Sequence, residues 1–201
     1  MVLIQIKASP SLLSGVEAPK KLVRGRRSML KPADYSVTER LRDGRSVAIR
    51  ALRPDDREEM LAAIGRTSAE SLRRRFFVPK RGFSETEISF FTKIDFDKHV
   101  ALVAQIGEDG RPVIAGGGRY VMTDPGRAEL AFVVVDAYQG HGIGTALLRH
   151  LITLAREAGL RELMAEVLPE NGAMLAVFNR LGFCARAGLD PQVRHLVLQL
   201  A

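Results

Sequence analysis

In the stretch DAYQGHGIGTALLRHLITLA, Asp136 to Ala155, three glycines alternate just before a helical pattern: Gly140, Gly142 and Gly144. Glycine weakens a helix and loses the most backbone freedom on folding, so three at a helix entrance mean a sharp bend or the close approach of something else. The preceding run, AELAFVVV, is almost wholly apolar and reads as a strand. Strand, glycine turn and helix N-terminus together form an anion cradle, because the first amides of a helix lack carbonyl partners and stand at the positive end of its dipole. A phosphate or pyrophosphate suits such a cradle.

Two familiar phosphate loops fail in detail. A Walker loop needs lysine and then Ser/Thr after its last glycine, but Thr145 and Ala146 follow Gly144. A dinucleotide fingerprint starting at Gly140 has Thr145 where its third Gly or Ala belongs, and falls late in the chain after antiparallel strands. The four histidines, His99, His141, His150 and His195, show no metal-ligand spacing with one another or with the single cysteine, so no metal is expected. Cys184 follows Phe183 in a short apolar run and is expected in the core.

The elements that must hold this turn follow from periodicity. RSVAIRALR alternates as a first strand, and PDDREEMLAAIG opens a helix with Pro54 and two aspartates. SAESLRRRFFV and SETEISFFTKI are two more short helices, each opened by a serine; the run Arg73 to Arg75 is expected on a solvated face. HVALVAQI, PVIAGGGRYVM and AELAFVVV are successive antiparallel strands, with Gly116 to Gly118 marking a bulge or close contact. After the glycine turn and its helix come the strand RELMAEVL, the helix NGAMLAVFNRLG and the strands FCARA and HLVLQL. The expectation is one mixed α/β (α+β) domain around a mostly antiparallel sheet of about seven strands.

At 46% hydrophobic and 26% charged, the chain has the composition of a globular protein. No apolar run reaches the roughly 20 residues of a membrane-spanning helix, and MVLIQIKASPSLL lacks a basic start and cleavage site, so a cytoplasmic protein is expected. Before Ser36 stand seven Lys/Arg against two Asp/Glu, a net +5 of the total +7. Residues 1–35 therefore form a basic arm, expected to be flexible, and 36–201 the domain. No aromatic side chains interleave with the arm's charges, so nucleic acid is not an expected partner.

Gln139-x-x-Gly142-x-Gly144 resembles the acetyl-CoA pyrophosphate loop of the GNAT superfamily of N-acetyltransferases, and the order of elements from Val47 to Leu200 is similar to that family's. ENGAMLAVFNRLGF, Glu170 to Phe183, resembles the family's second motif. More closely, SAESLRRRFF, IDFDKHVALVA, RAELAFVVVDAYQGHGIGTALL and EVLPENGAMLAVFNRLGF look like the acetyltransferase domain of bacterial protein lysine acetyltransferases. In some of those, the domain is joined to a nucleotide-sensing or CoA-ligase-like domain, for which this chain has no room.

The resemblance implies acetyl-CoA as cosubstrate and an amine as acceptor, a protein lysine first. The pyrophosphate would lie on amides from Gly140 through His141, Gly142, Ile143 and Gly144 to Thr145, with Gln139 and His141 as helpers; a solvent-facing His141 is the alternative. An oxyanion would meet a backbone N–H at Val134 or Val135. Asn171 would lie near the pantetheine arm, although asparagine also suits the helix cap it would occupy. A lysine amine is mostly protonated at neutral pH, so a general base is useful. Glu129 is the candidate: it stands in an apolar strand, where the family's lysine-acetylating members carry a glutamate, and apolar surroundings would raise its pKa. Its alternative is an exposed ion pair with Arg127.

One departure concerns the leaving thiolate. Many family members place a tyrosine where this chain has Phe178, a position that would still face the cofactor but cannot donate a proton. Tyr138 and Tyr120 are substitutes without supporting spacing. A small-molecule amine acetyltransferase and a catalytically silent acyl-CoA-binding module are the other functions compatible with the sequence, and oligomeric state is not written in it.

Overall fold

The computed structural model describes residues 31–80, 82–188 and 190–200; the arm expected to be flexible falls mostly outside the described residues. Eight strands form one sheet: β1 (Ser36–Arg40), β2 (Ser46–Ala51), β3 (His99–Glu108), β4 (Arg111–Asp124), β5 (Arg127–Val134), β6 (Glu162–Val167), β7 (Cys184–Arg186) and β8 (Arg194–Gln199). Their order is β1-β2-β3-β4-β5-β6-β8-β7, and every neighbouring pair is antiparallel except β5 and β6. The helices are α1 (Arg57–Gly65), α2 (Ala69–Phe76), α3 (Glu85–Thr92), α4 (Ile143–Glu157) and α5 (Gly172–Arg180).

The strand β1 was not expected. SVTER is polar and largely exposed, so it carries no apolar alternation, and the Asp43-Gly44 turn that joins it to β2, with Gly44 at φ 86°, is the only hairpin signal. Three contacts pin it to α4: Glu39 accepts from Arg149 and pairs with His150 at 2.9 Å, and the Tyr35 hydroxyl meets His150 Nδ1. Tyr35 is thereby buried, although the expected boundary leaves it in the arm.

Strand alternation divides the sheet into two faces. Leu130 and Phe132 face α4 and α5, where Leu147, Leu148, Leu151 and Leu154 are fully buried. Each such leucine contributes about 1.5–3 kcal/mol relative to exposure. Glycines make the close approach possible: a Cβ on Gly118 would stand 3.0 Å from Leu151 Cδ1, and one on Gly144 would stand 3.2 Å from Phe132 Cε2. The opposite face, with Arg119, Ala131 and Val133, is covered by α1, α2 and α3. The bulge falls at Ala115, between the pairs Ala104 with Gly116 and Gln105 with Ile114, one residue before the glycine run.

Cys184 departs from expectation. Only the apolar neighbour Phe183 is buried; Cys184 lies exposed in the edge strand β7. Three residues are too few for alternation to assign a face. No helix among the described residues is long and apolar enough to cross a membrane.

Candidate active site

Strands β5 and β6 pair only from Arg127 with Glu162 to Glu129 with Met164. Beyond that pair β5 continues beside β4 while β6 departs to β8, which opens a fork in the sheet. Glu129 stands at its apex and Val134 at its mouth. Val135 donates its amide to the Ala115 carbonyl at 2.9 Å. By the alternation of an antiparallel ladder the Val134 N–H turns the other way, into the fork. Of the two amides expected to meet an oxyanion, Val135 is therefore already engaged with β4, and Val134 alone faces the opening.

At the mouth lies a cleft of about 460 Å³. Val134, Gln139, Gly140, His141, Gly142, Ile143, Gly144, Thr145 and Asn171 line it, as the sequence places them together. Gly140 at φ 81° and Gly142 at φ 95° occupy left-handed backbone that side chains resist, and Gly142 is the N-cap of α4. The three glycines thus differ in purpose: two bend the loop, and Gly144 lets the helix close on Phe132. The turn aims the first amides of α4 at the cleft, and Arg42, Arg74, Arg149 and Arg180 stand around it. Its chemistry is that of an anion site.

Gln139 does not reach into open space. Its Nε2 donates to the Val134 carbonyl at 3.0 Å and to Ser71 Oγ at 3.2 Å. Ser71 in turn donates to Asp136 at 2.8 Å, and the same carboxylate receives the Ser68 amide and hydroxyl at 2.7 and 2.9 Å. This clamp fastens the start of α2 to the loop before the glycines. A helix-capping serine is legible at Ser68, but nothing in the sequence pairs it with an aspartate 68 residues away. His141 Nδ1 lies 2.9 Å from Asp43 of the β1–β2 turn, so it joins the hairpin to the glycine loop.

Asn171 serves as a cap and lines the cleft at once: it is buried, and its Oδ1 accepts the Met174 amide at 3.3 Å. Phe178 corrects an expectation. It is fully buried, with ring centroids 5.6 Å from Phe132 and 4.7 Å from Phe183, and Val177 lines the cleft in its place. Phe178 is packed between Phe132 and Phe183, and the preceding position on α5, Val177, is the one turned to the cleft. Of the two substitute tyrosines, Tyr138 lines the cleft but spends its hydroxyl proton on another acceptor, and Tyr120 is not among the cleft-lining residues. Tyr138 donates to Glu108 at 2.8 Å, and Tyr120, whose hydroxyl is buried without a partner, belongs to the α4 face.

Glu129 is turned toward α2. Burial, reinforced by the nearby carboxylate of Glu166, pushes its carboxyl up to about 8, against the opposing pull of Arg75. The exposed ion pair does not form, since Arg127 lies 3.5 Å from Glu162 instead. Arg75 was expected among solvated arginines, yet it is 4% exposed and held down to about 10 by burial, with its guanidinium 4.7 Å from the Phe76 ring centre. Only its neighbours are on the surface, where Arg73 pairs with Glu70 and Glu170 and Arg74 with Glu70. Ser71 and Arg75 are one turn apart, so the Asp136 clamp on Ser71 also sets where Arg75 lies. Among the described residues no group of three or more His, Cys, Asp or Glu side chains is placed to hold a metal ion.

Comparison with known proteins bears on this geometry. Residues 67–183 match the acetyltransferase (GNAT) family. The chain is 36% identical over 160 residues to Acetyltransferase PA5475 of Pseudomonas aeruginosa, covering 78% of this chain and 86% of that one. It is 34% identical over 164 residues to Acetyltransferase Pat of Mycolicibacterium smegmatis, covering 81% of this chain but only 48% of Pat, so it spans about half of that relative. The crystal structure of the GNAT domain of S. lividans PAT superposes with a TM-score of 0.76 at 34% identity, covering 82% of this chain and 96% of that domain. A forked sheet with a glycine turn at its mouth, shared sequence across the fork and a shared fold together place this chain in the acetyltransferase (GNAT) family of acyltransferases.

Proposed function

We propose that the protein is an acetyl-CoA-dependent N-acetyltransferase whose acceptor is an amine, a protein lysine first, acting in the cytoplasm. The observation that carries this is the fork itself, with a carboxylate at its apex and an anion cradle at its mouth. The residues fit the cosubstrate. Amides from Gly140 to Thr145 and the surrounding arginines would hold its pyrophosphate, Asn171 and Val177 would flank its thiol arm, and the Val134 N–H would meet the acyl oxygen. When bound, acetyl-CoA supplies an acyl group activated as a thioester.

This chain's residues do the rest. The Val134 amide, fixed by the β4 ladder on one side and the Gln139 contact on the other, offers a hydrogen bond to charge developing on the acyl oxygen. Glu129 takes the acceptor's proton directly or through one water, and its raised affinity matches a base working near neutral pH. With Phe178 in the core, the leaving thiolate takes its proton from solvent; the low reference pKa of a thiol, about 8.5, makes this tolerable. The similarity to Pat supports a protein acceptor, and the free, exposed Cys184 fits a reducing compartment.

The test is transfer of labelled acetyl from acetyl-CoA into a protein extract and, separately, into its small-molecule filtrate, with Glu129→Gln alongside. Label on protein lysines, lost in the variant, is the expected result. Label in the filtrate alone moves the acceptor to a small amine, and cosubstrate binding without transfer to either pool makes the protein a silent acyl-CoA-binding module.

A further inference from the structure

A second carboxylate faces the fork. Glu166 lies on β6 two residues beyond Met164, the partner of Glu129, so the two glutamates share one face of the sheet on the strands that part between them. Glu166 is directly opposite His195 of β8, whose Nδ1 lies 3.2 Å from its Oε1. An ionised carboxylate only accepts, so Nδ1 carries the proton of this contact. His195 Nε2 is buried without a partner, and Gly188 lies so close to the ring that a Cβ there would stand 1.6 Å from Cδ2. The ring is thus confined, and with it the direction in which Glu166 points.

The other charged groups on this face are accounted for. Arg75 of α2 draws Glu129 toward ionisation, and Arg119 of β4 is committed to His99 Nε2 at 3.1 Å and the Phe91 carbonyl at 3.3 Å. Arg127 and Arg186 both serve Glu162, and Asp190 adds negative charge beside Glu166. The carboxylate that acts on Glu129 is Glu166, whose side chain is 34% exposed.

We propose that Glu166, oriented by His195, is a positioning residue that makes Glu129 an effective base only for an acceptor arriving as an ammonium cation. Two carboxylates on parting strands repel, so one holds a proton while the site is empty. An aliphatic ammonium entering between them offsets that repulsion, favours ionised Glu129 and thereby creates the base for its own proton. The proton held between the carboxylates leaves to solvent as the ammonium enters. One ammonium proton then passes to Glu129, the freed lone pair bonds to the acyl carbon, and the carbon–sulfur bond breaks with its electron pair on sulfur. The nitrogen gives its second proton to solvent, and the thiolate takes one from solvent. An aromatic amine or an alcohol arrives neutral and does not set off this change. This positioning role deepens the function proposed above and rests on it.

The experiment has a readout that needs no turnover. The Glu129 side-chain carboxyl is titrated by 13C NMR in the full chain, as wild type, E166Q and H195L. Without the Glu166 charge, the Glu129 midpoint is expected to fall by about one unit; H195L, which frees Glu166 to swing away, moves it part of that distance. The acidic limb of kcat/KM for a lysine-containing peptide falls by the same amount in E166Q, while KM for the peptide rises about tenfold. A purely structural Glu166 would lower activity at every pH and leave the midpoint in place, and that result overturns the proposal. If H195L alone leaves the midpoint at its wild-type value, the role of His195 falls. Full turnover by E129Q would instead overturn the assignment of the base, whatever the titration shows.

Discussion

At the residue scale, the cost of the candidate base is measurable apart from its chemistry. A carboxyl whose proton affinity is raised on folding, here from 4.5 to about 8, lowers stability progressively as pH rises between those values, because the unfolded chain releases its proton first. Glu129→Gln keeps the shape and removes the charge. We expect turnover to fall by about 100-fold or more, as for loss of a general base, with acetyl-CoA binding retained. The same variant should melt at the wild-type temperature near pH 4.5 and about 5 °C higher at pH 8, equivalent to about 2 kcal/mol, a figure already reduced for the solvent contact Glu129 keeps. Lower stability of the variant at pH 8 would mean that Glu129 is held by an ion pair rather than desolvated.

At the scale of the element, the turn into α4 separates conformational from steric glycines. Ala at position 142 must adopt φ near 95°, a left-handed strain of about 1–2 kcal/mol, at the point where the loop amides are aimed. Gly142→Ala is therefore expected to raise KM for acetyl-CoA roughly tenfold with a modest loss of stability. Gly144→Ala meets no backbone strain but pushes on the Phe132 ring, so its effect falls on stability, about 1–3 kcal/mol in chemical denaturation, with a smaller change in KM. Equal effects from both would contradict this division. Much of this element was legible beforehand, since an apolar strand, alternating glycines and a 3.6-period stripe specify it locally. What escaped was settled by distant partners. Arg75 reads like its two solvated neighbours, and only the Asp136 clamp on Ser71 reveals that it faces Glu129. The polar strand β1 becomes a strand because β2 and His150 hold it, and Phe178 turns inward because Phe132 and Phe183 leave it a place there.

At the scale of the whole molecule, the helical layer α1–α3 must stay on the sheet for the fork to keep its shape, and His99 is where the two are joined. It is 6% exposed, stacks 4.7 Å from Phe90 of α3, and accepts from Arg119 of β4 on Nε2, which requires a neutral ring. Burial and then the Arg119 charge push its proton affinity down from 6.5 to about 4. As pH falls through that window the unfolded chain takes up a proton that the folded chain refuses, so stability is lost with acidification, by up to about 3 kcal/mol at pH 4. Carboxylates held low by arginines also lose stability in acid, below about 3.8 for Asp56 beside Arg50 and below about 4.5 for Glu39 beside Arg149 and Glu162 beside Arg186, so the interval from pH 6.5 to 5 lies above them. Between pH 6.5 and 4 Glu129 contributes with the opposite sign and buried His150 with the same sign, so the His99 share is read as the difference between wild type and a variant lacking that ring. His99→Gln retains an acceptor for Arg119 and has no proton to gain; it should be less stable than wild type at pH 7 and should lose about 2 kcal/mol less on going from pH 6.5 to 5. Parallel stability curves for the two proteins over that interval would show that the ring is solvated, and that the helical layer is anchored to the sheet elsewhere.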